Sequence, residues 1–176
     1  MTRTRQAVLP DVDQIHAIIQ PYADQGILLP RSLPELSENI RDFIVAEADG
    51  LILGCGALHL YGMHLAEIRS IAVLSARKGS GVGRLLVEAL IEESKRHQVT
   101  CLCLFTRTPD FFAHLGFEIY RRQDLPDKIY KDCVHCPRLM DCDEIAMVLG
   151  RPPANTDGLR DPSILIPIIQ RKHVRL

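Results

Sequence analysis

The sequence predicts an α/β (α+β) fold, with a central mixed, mostly antiparallel sheet flanked by helices. Three observations predict it. Strand-like runs joined by tight turns follow one another from residue 43 to 73, a glycine-rich loop then opens into a long amphipathic helix, and short β-like runs resume after it. At 176 residues, with 47% apolar and 24% charged side chains, the chain fits one domain around a single core.

Residues 6–9 read as a short strand. Asp11 then starts a helix, with Gln14 three residues on as the partner of a capping box. Val12, Ile15, Ile18 and Ile19 keep the spacing of one buried helical face, and Pro21 and Gly26 are expected to break it. Ser32 and Glu35 mark a second start, with Leu33, Leu36 and Ile40 as its inner face. Residues 43–48 read as a strand, Asp49-Gly50 as a hairpin turn, and residues 51–61 as the returning strand. Gly54 and Gly56 within it suggest a bulge or a close backbone approach. A third antiparallel strand is predicted over 64–73 and an amphipathic helix over 84–97. A buried strand follows over 99–106, a short helix over 110–114 ended by Gly116, and strands over 116–121 and 145–149. The domain is expected to span 1–150, with 151–176 an extension, apolar at 164–169, that packs on it or on a second copy.

A net charge of −1 gives no reason to invoke nucleic acid, and no apolar run approaches the ~20 residues that span a membrane. The basic start Met1-Thr2-Arg3-Thr4-Arg5 is not followed by the apolar stretch of a signal peptide, so a cytoplasmic location is the expectation. Cys55, Cys101 and Cys103 fall in apolar strands and read as packing. Cys133, Cys136 and Cys142, with His135 between the first two, contain one zinc-like C-x2-C half-site. The remaining spacing is loose and no second half-site appears, so free thiols are expected and no metal is assigned.

The segment Lys78-Gly79-Ser80-Gly81-Val82-Gly83-Arg84 joins strand to helix. Glycines let backbone approach an anion, and a helix N-terminus offers unpaired N–H groups with a partial positive charge. Arg77, Lys78 and Arg84 add full charges, so phosphate is the natural guest. A nucleotide P-loop needs Lys-Ser or Lys-Thr after the last glycine, which is missing. A dinucleotide loop needs G-x-G-x-x-G in a βαβ unit, whereas the spacing is G-x-G-x-G after antiparallel strands. A plain glycine-rich connector and a coenzyme A loop remain.

The neighbouring motifs resemble one family. Ala66-Glu67-Ile68-Arg69-Ser70-Ile71-Ala72-Val73, the loop, Gly83-Arg84-Leu85-Leu86 and Phe111-Phe112-Ala113-His114-Leu115-Gly116-Phe117 follow the order and spacing of GNAT N-acetyltransferases over roughly residues 4–150. Leu29-Pro30-Arg31-Ser32, Thr108-Pro109-Asp110-Phe111-Phe112 and residues 125–133 further resemble the stand-alone N-acetylglutamate synthase type. The resemblance implies the GNAT fold with splayed central strands, and acetyl-CoA as cosubstrate. It also implies a small-molecule amino-acid acceptor, L-glutamate first, for arginine biosynthesis, and allows a homodimer; the alternatives are another amine (glutamine, a polyamine or a protein N-terminus) or a non-catalytic acetyl-CoA-binding module. By the same resemblance coenzyme A is held by Ile71, Ala72, Val73, Lys78, Gly79, Ser80, Gly81, Val82, Gly83, Arg84, Thr106 and Phe112, with Lys78 replacing the family's usual Gln or Arg.

Direct attack on a thioester requires a neutral amine and therefore a base. The resemblance assigns that role to Glu67, with His59 and His64 as lesser candidates, and places oxyanion donors in the backbone near residues 71–73. Phe112 stands where relatives carry a proton-donating tyrosine, so Tyr120, Tyr130 or unassisted departure of the thiolate must serve. A dicarboxylate acceptor calls for cations, and Arg31, Arg69 and Lys131 are the candidates. Arg107 is open between coenzyme A and solvent.

Overall fold

The computed structural model describes residues 1–125, 133, 136 and 139–152. The strands are β1 (Arg3–Gln6), β2 (Phe43–Ala48), β3 (Leu51–Gly62), β4 (Leu65–Val73), β5 (Cys101–Thr106), β6 (Glu118–Ile119) and β7 (Ile145–Gly150). The helices are α1 (Val12–Asp24), α2 (Leu33–Glu38), α3 (Val82–Arg96) and α4 (Pro109–Ala113). One seven-stranded sheet runs β1-β2-β3-β4-β5-β7-β6, antiparallel except where β4 meets β5. That parallel step follows from the connection, because α3 crosses from the end of β4 to the start of β5.

Helix α3 lays Val82, Leu86, Val87 and Leu90 on one face of the sheet, while α1 and α2 cover the other with Ile15, Ile18, Ile19 and Leu36. The α3 face explains two glycines. A Cβ on Gly54 would lie 2.8 Å from the Ala72 carbonyl oxygen and 3.1 Å from Leu86 Cδ1. One on Gly56 would lie 2.4 Å from Ile71 Cδ1 and 2.9 Å from Leu90 Cδ1. The expected close approach is therefore present.

The expected bulge is present too: Gly54 pairs with Ala46 and Ile52 with Glu47, which leaves Leu53 as the extra residue beside Gly54, and a further bulge lies in the partner strand β4. Cys55 pairs with Ala72 and Ala57 with Arg69, so Ser70 and Ile71 together oppose Gly56. Ser70 takes up the extra length at φ 55, a left-handed conformation costing a non-glycine residue about 1–2 kcal/mol. The slip changes which side chains share a face. Arg69 sits opposite Ala57 on the α1/α2 face, whereas Ile71 and Val73 pack with the α3 cluster.

Several local expectations are corrected. The first strand is at residues 3–6, because Arg3 and Arg5 reach Glu47 of β2 at 2.6 and 2.7 Å. Asp11 does not cap α1. Its carboxylate accepts from Arg5 at 2.6 and 2.9 Å and from the Val8 N–H at 2.8 Å, while Gln14 accepts from the Ile52 N–H at 3.3 Å. Pro21 lies inside α1, which continues to Asp24, and both Pro21 and Ala17, one turn earlier, are exposed to water. Gly26, at φ 67, ends the helix, with the Ile27 N–H reaching back to the Tyr22 carbonyl at 2.9 Å. Leu33, at the first turn of α2, is exposed, leaving Leu36 and Ile40 as its inner face. Strand β6 is only Glu118–Ile119, and α3 starts at Val82. Cys55, Cys101 and Cys103 are buried, as expected. No helix among the described residues is long and apolar enough to cross a membrane.

Candidate active site: a cleft between parting strands

Strands β4 and β5 pair only at Ala66 with Leu102 and at Glu67 with Cys103. Beyond that they separate, and a cavity of about 730 Å³ opens between residues 68–73 of β4 and residues 104–108 at the end of β5. The β4 backbone there faces the cavity instead of a neighbouring strand. Tyr22 of α1 reaches this edge, donating its hydroxyl to the Val73 carbonyl at 2.5 Å.

The loop below β4 presents its backbone to the same cavity. Gly79 and Gly81 have φ 77 and 85, and a Cβ on either would meet nothing within 4 Å. These conformations turn the chain sharply into α3, whose N-cap Gly81 supplies no side chain to the free N–H groups of the first turn. Lys78 lies 4.8 Å from the centre of the Tyr22 ring, and Arg84 pairs with Glu88 at 2.8 Å. The result is a pocket for polyanions at a helix N-terminus, continuous with an apolar channel past Phe111 and Phe112.

Of the residues expected to hold the cofactor, Ile71, Val73, Lys78, Gly79, Gly81, Gly83, Arg84, Thr106 and Phe112 line this cavity. Ala72, Ser80 and Val82 do not. The bulge turns Ala72 into the α1/α2 core, the Ser80 hydroxyl donates to the Arg77 carbonyl at 2.6 Å, and Val82 packs beneath α3. Thr106 is buried, and its hydroxyl accepts from the Thr108 N–H at 2.9 Å. Phe112 is buried edge-on against Phe111 and Phe117.

Glu67 is 2% exposed and is not among the cavity-lining residues. It precedes the parting of the strands, opposite His59 on β3, and accepts the Tyr61 hydroxyl at 2.9 Å. Arg69 does line the cavity. Its guanidinium lies 3.1 Å from His59 Nδ1 and 4.0 Å from Asp42. Arg31 is outside the main cavity but shares a small adjoining pocket with Arg69 and Ser70, and it pairs there with Glu35. Two of the three expected cations therefore line one pocket, and Lys131 lies outside the described residues, as do Tyr130 and His135. Tyr120 packs with Cys101 and Cys103, away from the cavity.

Arg107 faces neither solvent nor cofactor alone. It donates to the Gly26 and Ile27 carbonyls at 3.3 and 3.1 Å and to Asp143 at 2.8 Å, tying the loop after α1 to the entry of β7. Tyr22, Leu28 and Glu144 also line the cavity and were missed by sequence reasoning. Tyr22 looks like one more helical residue, and Glu144 like a loop carboxylate. Cys133, Cys136 and Cys142 carry no disulfide, and among the described residues no three His, Cys, Asp or Glu side chains could share a metal ion.

A V-shaped opening between two parallel strands, with a glycine loop and helix N-terminus at its base, defines an acyl-CoA-dependent transferase site. The Acetyltransferase (GNAT) domain family matches residues 39–119. An uncharacterized N-acetyltransferase of Chlorobaculum tepidum is 42% identical over 147 residues, covering 84% of this chain and 95% of that one. The amino-acid acetyltransferase of Pasteurella multocida is 34% identical over 126 residues, covering 70% of this chain but only 29% of its own length. The N-acetylglutamate synthase of Neisseria gonorrhoeae, solved with coenzyme A and N-acetyl-glutamate, superposes with a TM-score of 0.77 at 30% identity, covering 85% of this chain and 35% of that one. The chain belongs to the GNAT acetyltransferase family, and acetyl-CoA is its cosubstrate.

Proposed function

We propose that this enzyme acetylates the α-amino group of L-glutamate, the opening step of arginine biosynthesis, in the cytoplasm. The observation that carries this reading is that Arg31 and Arg69 both line one small pocket, which shares Arg69 and Ser70 with the acetyl-CoA cleft. Two guanidinium groups suit two carboxylates, because each can form paired, charge-assisted hydrogen bonds. Arg69 is pre-positioned by His59 and Asp42, so little side-chain freedom is lost when the acceptor binds. The likeness to a synthase solved with N-acetyl-glutamate supports the same acceptor.

In this reading the pyrophosphate rests on residues 78–84, and the thioester lies along the bulged segment of β4. Backbone N–H groups near Ile71 and Val73 then stabilise the oxyanion. Phe112 has no proton to give, so the thiolate departs as an anion. Glu67, buried behind the cleft wall and accepting the Tyr61 hydroxyl, does not reach the acceptor amine directly, so the base that takes its proton stands elsewhere in the cleft.

The test is CoA release from acetyl-CoA with each of the twenty amino acids in turn. L-Glutamate is expected to give the highest kcat/KM. Arg69→Ala is expected to raise its KM by about 10- to 100-fold, the worth of a charged hydrogen bond of about 1.5–3 kcal/mol. A wild-type preference for a neutral or basic amino acid would sink the glutamate assignment.

A further inference from the structure

We infer that Glu144, immediately before β7, is a catalytic residue that binds the acceptor's ammonium group and takes its proton. The inference rests on the α-amino acid reading above and deepens it. Glu144 is the one acidic side chain among the described residues lining the cavity, which otherwise presents Arg69, Arg77, Lys78, Arg84 and Arg107. These cations are already disposed of. Arg77, Lys78 and Arg84 surround the glycine loop, Arg107 is bonded to Asp143, and Arg69 belongs to the acceptor pocket. Glu144 differs from the other carboxylates nearby. Asp42, Asp143 and Glu35 each face a cation, whereas Glu144 is half-buried, and its hydrogen-bonding contact among the described residues is the Cys142 thiol at 4.0 Å.

Its place in the fold fits the task. The next residue, Ile145, pairs with Thr106 at the end of β5, so Glu144 stands on the far side of the opening from Arg69 and Ser70. An α-amino acid entering the cleft carries an ammonium and a carboxylate. A guanidinium on one wall and a carboxylate on the other orient that zwitterion in one direction. Glu144 accepts one ammonium proton and passes it to water. The neutral amine then attacks the thioester carbonyl, the N–C bond forms and the C–S bond breaks. The second nitrogen proton ends on the departing sulfur through solvent, leaving acetylated product, CoA thiol and one released proton.

The test compares the full-length wild type with Glu144→Gln and Glu144→Asp. In protein saturated with CoA, titration calorimetry measures L-glutamate against glutarate, which keeps both carboxylates and lacks the amine. The wild type is expected to favour glutamate at least tenfold and Glu144→Gln to lose that preference. For turnover, kcat/KM for glutamate is expected to fall by about 10²- to 10⁴-fold, the range of general-base catalysis. Acetyl-CoA affinity stays unchanged, which also reports correct folding, and Glu144→Asp recovers part of the rate. Glu144→Gln with wild-type kcat/KM, or an equal wild-type affinity for glutarate and glutamate, overturns the assignment. A wild type that turns over another amino acid refutes the glutamate acceptor alone, and the same comparison then uses that amino acid and its deaminated analogue. A wild type that turns over no amino acid overturns both.

Discussion

Gly54→Ala probes how tightly the cleft wall is held against α3. The new Cβ would sit 2.8 Å from the Ala72 carbonyl oxygen, 3.1 Å from Leu86 Cδ1 and 3.2 Å from Val82 Cγ1. Carbon and oxygen rest about 3.3–3.6 Å apart at their closest comfortable contact. The strands must therefore separate by roughly half an ångström, and a backbone carbonyl cannot rotate away as a side-chain methyl can. Overpacking of this kind costs about 1–3 kcal/mol. Replacing glycine by alanine recovers about 0.4–1 kcal/mol by restricting the unfolded chain, leaving about 1.3 kcal/mol at the middle of both ranges. For a chain of this size that is a fall in melting temperature of about 3–5 °C. The displaced residues adjoin Val73, which lines the cavity, so the acetyl-CoA dissociation constant should rise as well. Differential scanning fluorimetry with and without acetyl-CoA reads both quantities. A variant that melts and binds like the wild type would refute the close packing of β3 against β4 and α3.

Gly81→Ala meets open space but inherits φ 85, so its cost is conformational, about 1–2 kcal/mol, and Gly81→Asn should recover part of it in thermal melts. The Arg5 guanidinium holds the Asp11 carboxyl below its ordinary value of 3.8. The stability this provides is complete above that value and is lost as the pH falls through the lower folded value, because protonation then favours the unfolded chain. Asp11→Asn should consequently destabilise the protein at pH 7, with a penalty that shrinks toward pH 3 in urea titrations. Burial pushes the Cys55 thiol up to about 12 and the Cys101 thiol up to about 11, so a maleimide at pH 7 should label Cys136 and Cys142 and spare both, as peptide mapping would show.

The parts of the fold that the chain announces are those written in short stretches. Asp49 and Gly50 form the hairpin turn with φ 52 and 78, the stripe of α3 is periodic, and Gly79 and Gly81 signal a left-handed loop. The site is less legible because it is made by distant pairs. Tyr22 meets Val73 across 51 positions, and Arg107 meets Ile27 across 80. Nothing near Tyr22 or Glu144 in the chain marks either as a cleft residue. The glycines of β3 signal the bulge at Leu53 beside Gly54, whereas nothing in the chain marks the extra residue Ser70 on β4. Pro21 misled for the opposite reason, since the exposed edge of α1 tolerates an unpaired carbonyl that a buried helix would not.

That extra residue has a consequence for which lengths of chain the fold can accept. Before Arg69 the even-numbered Ala66 and Ile68 serve the α3 core; beyond Ser70 the parity is reversed, and Ile71 and Val73 serve it. Deleting one residue here would not merely shorten β4. It would either drive the Arg69 guanidinium into the layer around Leu86 and Leu90 or pull Ile71 out of it, at a cost of several kcal/mol in either case. Insertions and deletions should therefore be fatal to folding at Ser70, and far milder at the exposed hairpin turn Asp49-Gly50.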